Sequence, residues 1–396
     1  MVNCKRHYKG ITAYKKEVTM NRILKIGLDV HSTNYTICVA EPKLEDEPDY
    51  LYEIEADPDV KNILSVVEKL KKKYPDDHLD IVCGYEAGCL GYTLYHELKQ
   101  SGVKCVILAP STMEMRGGKR IKTDKRDARL IAKCLCTGGY SAVYVPTARD
   151  EEIREYLRMR DDHKAQQKVI KQQINAFCLR HGYKYEKSKW TGSHLKWLND
   201  LSVSAALREV LEEYLITYRY LTDRIEQFDR RIEEFASEGA YCDKVQKLGC
   251  FIGIKTHAAL SLMVEICDFT RFSKGNIFAS YLGPTPGEHS SSDSVNRTGI
   301  TKSGNKHIRT ILVESSQGIC KGRVGMKSKE LSSRQKGNAP KVIAYADKAN
   351  ERLRRKYYRM VFKGKQKSVA VTAVARELAC FIWGMMTDHI GQETPA

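Results

Sequence analysis

The chain is 396 residues long, too long for one ordinary core, and carries 66 Lys and Arg against 49 Asp and Glu, a formal charge of +17 that favours a polyanionic partner, nucleic acid first. The longest apolar candidate, Val369 to Met386, is broken by Arg376 and Glu377, so no membrane span is expected and the protein should be soluble. Thirteen scattered cysteines, with no Cys-x-x-Cys pair, argue against a disulfide scaffold or a structural zinc and for a reducing compartment.

In chain order, residues 1–22 read as a basic disordered tail without the apolar core of a secretory signal, and Met20 could be the true start. From 23 to 148, short β-rich runs (ILKIGLDV, NYTICVA, LYEIEA) give way to alternating helices and strands (a helix near 59–73, DIVCGY, a second helix, VKCVILAP). Three early strands followed by alternating elements predict an α/β domain with a mixed sheet, the arrangement of a ribonuclease-H-like core. Residues 149–240 are charged and helical. Within them Leu207, Leu211, Tyr214, Tyr218, Leu221, Ile225, Phe228, Ile232 and Phe235 repeat at 4-3 spacing over four heptads, which predicts a coiled coil. Such a stripe suits either an antiparallel hairpin with the chain's own earlier helix, about 151–181, or an intermolecular seam; the seam is the reading carried forward.

Residues 241–396 are expected to be mostly helical around a Gly-, Ser- and Thr-rich functional loop containing GEHSSSDSV. From Arg352 to Lys367 the chain carries eight Lys or Arg and no acid, interleaved with Tyr357, Tyr358 and Phe362. Arg354, Arg355 and Lys356 are therefore candidates for contact with a phosphate backbone.

Four acids stand out. Asp29 closes the first strand and Glu86 a later one, while Asp124 and Asp127, three apart in KTDKRDARLIAK, share one face of a helix. Converging carboxylates suit phosphodiester chemistry with two divalent ions about 3.5–4 Å apart, for which Mg²⁺ is the natural hard cation. The neighbouring Lys122, Lys125 and Arg126 suit a site that attracts nucleic acid.

The strings IGLDVHS, YEAGCLGYTLYHELKQSGVKCVILAPS, KRIKTDKRDA, GPTPGEHSS and GITKSGNKHIRTILVE resemble the DEDD insertion-sequence transposases, understood as bridge-RNA-guided recombinases. The resemblance implies that Asp29, Glu86, Asp124 and Asp127 form the acidic tetrad of a RuvC-like domain and bind Mg²⁺. It also implies a serine nucleophile in the second module. The family's Glu-His-Ser-Ser-Gly type string places that serine at Ser291, with Ser292 standing where the glycine would be, and leaves the register open among Ser290, Ser291 and Ser292. Donor and target DNA, a bridge-type guide RNA and a homodimer or homotetramer are the expected partners, in the cytoplasm of a bacterial or archaeal cell. Lys302, Lys306 and Arg309, just beyond the serine, are expected to hold DNA phosphates. Similar proteins carry a Pro-Gly-Ile-Gly turn that can grip a phosphate through its amides; here it reads Cys250-Phe251-Ile252-Gly253. The alternatives from the residues are a metal-dependent junction endonuclease that activates water, with the serine loop only binding DNA, and a catalytically silent nucleic-acid binder.

Overall fold

The computed structural model describes residues 21–44, 47–113, 123–291 and 294–391, with the backbone alone for 111, 288–291 and 294–297. Residues 1–20 of the expected tail, and Lys122 and Ser292, lie outside the described residues, while residues 21 and 22, assigned above to that tail, instead begin the first strand. The chain divides into two compact units, 1–145 and 146–396.

In the first unit, β1 (Asn21–Val30), β2 (Tyr35–Glu41) and β3 (Asp49–Ala56) form an antiparallel meander, and β4 (His78–Glu86) and β5 (Lys104–Leu108) add in parallel, giving the order β3-β2-β1-β4-β5. This mixed sheet fits the ribonuclease-H-like domain expected. Alternation assigns the faces. Leu24, Ile26, Leu28, Ile37 and Val39 pack with Ile63, Val66, Val67 and Leu70 of α1 (Val60–Lys73), whose first turn is capped by the Asp59 carboxylate. That face also takes Leu94 and Leu98 of α2 (Thr93–Gln100). On the opposite face the residues are small: Cys38 and Ala40 meet Ala128 and Ala132 of α3 (Asp124–Thr137).

The second unit opens with α4 (Ala148–Arg180), started by a capping box between Thr147 and Asp150. It continues through α5 (Gly192–Asn199) to α6 (Ala205–Ala236). The heptad stripe of α6 is buried against α4 of the same chain: Tyr156 packs edge-on against Phe228 and Phe235, Arg160 forks onto Asp229, and Gln167 donates to Thr222. Partner numbers fall on α6 as they rise on α4, so the pair is antiparallel. This corrects the intermolecular seam: the apolar stripe is already covered within the chain.

The remainder is a helical core of α7 (Cys242–Leu248), α8 (Thr256–Ile266), α9 (Gly275–Leu282), α10 (Lys306–Lys321), α11 (Lys329–Gln335), α12 (Pro340–Phe362) and α13 (Lys367–Met386). Between α9 and α10 the polar stretch expected as a loop forms a hairpin of β6 (Pro286–Ser291) and β7 (Ser294–Ile300). By length and composition α13 passes as a membrane span. Here it is a core helix, with Val374, Leu378, Ile382 and Trp383 buried in the main apolar cluster of this unit.

Candidate active site

Two glycines explain how the acids meet. A Cβ on Gly27 would stand 2.3 Å from the Ala128 carbonyl oxygen, and one on Gly84 would stand 2.9 Å from Leu108 and Leu135 side-chain atoms. Both positions therefore face α3, and their lack of side chains lets that helix lie close to the sheet. Asp29 and Glu86 follow these glycines by two residues, so each points to the same face. The strands are parallel neighbours in register up to Leu28 and Tyr85, which puts the two acids side by side at adjoining strand ends. Asp124 and Asp127 occupy the first turn of α3, where the unpaired amides and the helix dipole favour carboxylates.

Asp29, Asp124 and His31 each present a ligand atom, all within 4.8 Å of one another. His31 Nε2 is 3.3 Å from Asp29 Oδ2. That oxygen is buried and makes no hydrogen bond among the described residues, so the His31 contact is out of hydrogen-bonding alignment. Burial raises the Asp29 carboxyl above its ordinary range; His31 opposes the shift, and the charges of Asp127 and Asp124 add to it. An anionic oxygen without a donor, pressed by two further carboxylates, is unfavourable unless a cation or a proton compensates it. These residues fit a hard divalent cation, which Asp29 and Asp124 would hold with His31 and Asp127 beside them. Glu86 is exposed and lies outside the close cluster. His31 was missed in the sequence reading, although it stands two residues after Asp29 in IGLDVHS. Lys125 and Arg126 are exposed on the first turn of α3.

In the second unit Ser291 ends β6 and pairs with Ser294 of β7. The hairpin base is tied down. Thr301 N–H donates to Thr285 O and Lys302 N–H to Gly283 O, at 2.9 and 3.2 Å. Gly304 adopts φ +67 and leaves no room for a side chain against Tyr281 O. Arg309 donates from one nitrogen to Leu282 O at 3.0 Å and Ser303 O at 2.8 Å. Through that nitrogen the Arg309 guanidinium braces the hairpin base. Lys302, in the left-handed region at φ 56, and Lys306, at the start of α10, are exposed.

The Cys250–Gly253 turn does form between α7 and α8, with Gly253 at φ +82 against Ser315 O. Its amide at Ile252, however, donates to Asn350 Oδ1 at 2.9 Å, and Cys250, Phe251 and Ile254 are fully buried. That amide binds the protein's own α12 in place of a phosphate. Arg354 is a second correction. Only 5% exposed, it donates to the carbonyls of Ile319, Arg323 and Met326, so its charge serves the fold. Arg355 pairs with Glu351 at 2.7 Å and Lys356 with Glu377 at 2.6 Å, which partly neutralises the basic run.

The chain matches two family models: one described as "Transposase" (DEDD type) over residues 26–181, and "Transposase IS116/IS110/IS902 family" over residues 246–330. Among curated proteins it is 33% identical to "Putative transposase y4qE" of Sinorhizobium fredii over 92% of this chain and 88% of that one. It is 30% identical to the transposase for insertion sequence element IS1533 of Leptospira borgpetersenii, over 88% of this chain and 99% of the other. A solved structure of T. thermophilus RuvC in complex with a Holliday junction substrate aligns with 30% of the chain at 12% identity and a TM-score of 0.22. With Asp29 and Asp124 brought together at the start of α3, a serine-bearing hairpin in the second unit and relatives matched over nearly their full length, the chain belongs to the DEDD-type IS116/IS110/IS902 family of insertion-sequence transposases.

Proposed function

We propose that this transposase cuts and rejoins DNA with Asp29, Glu86, Asp124 and Asp127 as the acidic, Mg²⁺-holding half of its machinery and Ser291 as its nucleophile. The observation that carries the acidic half is the buried, donorless Asp29 oxygen beside Asp124 and His31. A bound divalent cation would supply polarisation of the scissile phosphate and charge neutralisation.

The chain's own residues do the rest. The Ser291 hydroxyl oxygen bonds to phosphorus as the bond from phosphorus to the 3′-oxygen breaks; the serine proton leaves, and the 3′-oxygen is released as a hydroxyl. The product is a 5′-phosphoserine, whose reversal by another strand's 3′-hydroxyl rejoins DNA without hydrolysis or external energy. Lys125, Arg126, Lys302 and Lys306 hold phosphates.

The formal charge of +17 accommodates a guide RNA in addition to donor and target DNA. Concerted exchange of several strands calls for a homodimer or homotetramer. Since α4 covers the heptad stripe, its contacts lie elsewhere on the chain. The test of the acidic half is replacement of Asp29 and, separately, Asp127 by Asn. Mg²⁺-dependent strand cleavage should fall by at least about a thousandfold in each; retained cleavage in both variants would refute the assignment.

A further inference from the structure

A second buried oxygen without a partner stands beside that of Asp29. Thr36, on β2, is only 2% exposed, and its Oγ1 makes no hydrogen bond among the described residues. A buried hydroxyl left unpaired is unfavourable, and valine, of nearly the same shape, would avoid the penalty on a strand. The chemistry proposed above gives Thr36 no part.

Strand register sets the two oxygens together. β1 and β2 are antiparallel neighbours with Asp29 opposite Thr36, and directly opposed residues share a face, with Cβ atoms about 4.5–5.5 Å apart. That face is the one toward α3. Two residues along, Gly27 stands opposite Cys38; the glycine lies against Ala128, and the cysteine packs with Ala128 and Ala132. Stepping back from Ala128 to Asp124 covers about 6 Å of helix, and from Cys38 to Thr36 about 6.6 Å of strand, so the first turn of α3 roofs the pair. Asp124, whose carboxylate clusters with Asp29 and His31, belongs to that turn.

The other neighbour of Thr36 in register is Glu55 of β3. Glu55 is exposed and already accepts from Asn34 Nδ2 at 3.0 Å, so it has a donor. Asp29 Oδ2 has none. A buried hydroxyl needs an acceptor and a buried carboxylate oxygen needs a donor; across this strand pair each supplies what the other lacks.

We infer that Thr36 is a positioning residue of the acidic site: its hydroxyl donates to the Asp29 carboxylate and so turns that group's remaining lone pairs toward a divalent cation held with Asp124. The inference rests on the acidic half of the proposed function and is independent of which serine attacks. Partners of this kind fix the orientation of a ligand, and their loss costs about 10–100-fold in metal affinity.

The test compares full-length wild type with Thr36→Val, Thr36→Ala, Thr36→Ser and Asp29→Asn by calorimetric melting across a Mg²⁺ series, with the Mg²⁺ concentration for half-maximal cleavage as a second readout. Thr36→Val and Thr36→Ala should need at least about tenfold more Mg²⁺ on both readouts, while Thr36→Ser, which keeps the hydroxyl, should stay within about threefold of wild type. In chelator Thr36→Val should melt no lower than wild type, because it removes an unpaired buried group at almost constant shape. A merely structural threonine would lower the melting temperature at every Mg²⁺ concentration and leave the Mg²⁺ dependence unmoved. That result, or Thr36→Ser behaving as Thr36→Val, would overturn the inference. An undiminished Mg²⁺ response in Asp29→Asn would instead sink the acidic reading itself, and the inference with it.

Discussion

Gly27 and Ala128 approach so closely that a Cβ on the glycine would stand 2.3 Å from the alanine's carbonyl oxygen. The obstruction is backbone, on a helix whose first turn carries two of the four acids, so it cannot be relieved by rotating a side chain. Gly27→Ala should destabilise the first unit by about 3 kcal/mol, the upper end of the overpacking range, and displace Asp124 from Asp29. Urea unfolding checks the first effect and Mg²⁺-dependent cleavage the second; unchanged values for both would contradict the packing account.

Asp29 is costly to keep ionised without a cation. In metal-free protein Asp29→Asn should melt a few degrees above wild type, because it removes a buried charge set against Asp127 and Asp124. Added Mg²⁺ should raise the melting temperature of wild type, by an amount set by the ratio of ion to dissociation constant, and leave that of the variant in place. Differential scanning calorimetry with and without chelator reads both; an equal Mg²⁺ response in the two proteins would remove Asp29 from the cation site.

Arg354 and Arg355 are neighbours with opposite fates. Arg354→Met strands the three carbonyls of Ile319, Arg323 and Met326 and should cost about 2–4 kcal/mol in chemical denaturation, with the salt slope of DNA binding unaltered. A change in that slope without loss of stability would return Arg354 to the phosphate-binding role read from the sequence.

The antiparallel α4–α6 pairing makes a concentration-independent prediction. Phe228, only 4% exposed and flanked by Tyr156 and His163, should cost about 3–5 kcal/mol when replaced by Ala. The loss should be the same at low and high protein concentration. Stability that rose with concentration in wild type and not in the variant would place the stripe between protomers.

His307 gives the second unit a pH dependence. Burial holds its imidazole below the ordinary value, against the pull of Glu265 and Asp161, with His257 and Arg158 adding to the depression. The unfolded chain therefore takes up this proton more readily than the folded one. This contribution to stability is intact above about pH 6.5 and declines as pH falls toward the lowered value. Asp161 adds a loss at more acid pH. Burial alone would raise its carboxyl, but His257, Arg160 and His307 hold it below its ordinary value, so its contribution disappears as pH falls through the carboxylate range. Urea midpoints at pH 7.5 and 5.5 should drop for wild type and drop less for His307→Gln; identical drops would contradict the assignment.

The sheet was legible because its strands alternate, and the acids because each ends an element at a readable boundary: Asp29 and Glu86 at strand ends, Asp124 after the extended Thr123. What sequence did not reveal depends on long-range partners. Nothing local distinguishes Arg354, buried among carbonyls, from exposed Arg355, one residue on. The partner of the α6 stripe was undecidable because α4 carries polar residues such as Gln167 within its buried face, which blurs its periodicity. His31 was passed over because a lone histidine after a strand has no ligand spacing of its own; only the fold brings Asp124 to it. The Ser-rich stretch read as a loop because small polar residues mark turns, whereas the pairing from Pro286 with Ile300 to Ser291 with Ser294 makes it a hairpin.

The most direct test of the central claim is a denaturing gel of the transposase incubated with labelled DNA of insertion-sequence ends, the proposed guide RNA and Mg²⁺. The account predicts a protein-linked DNA band bearing a 5′-phosphoserine at residue 291, lost in Ser291→Ala along with cleavage and retained in Ser290→Ala. Cleaved DNA without any linked protein, or undiminished cutting and rejoining by Ser291→Ala, would contradict it and leave water, activated at the acids, as the attacking group.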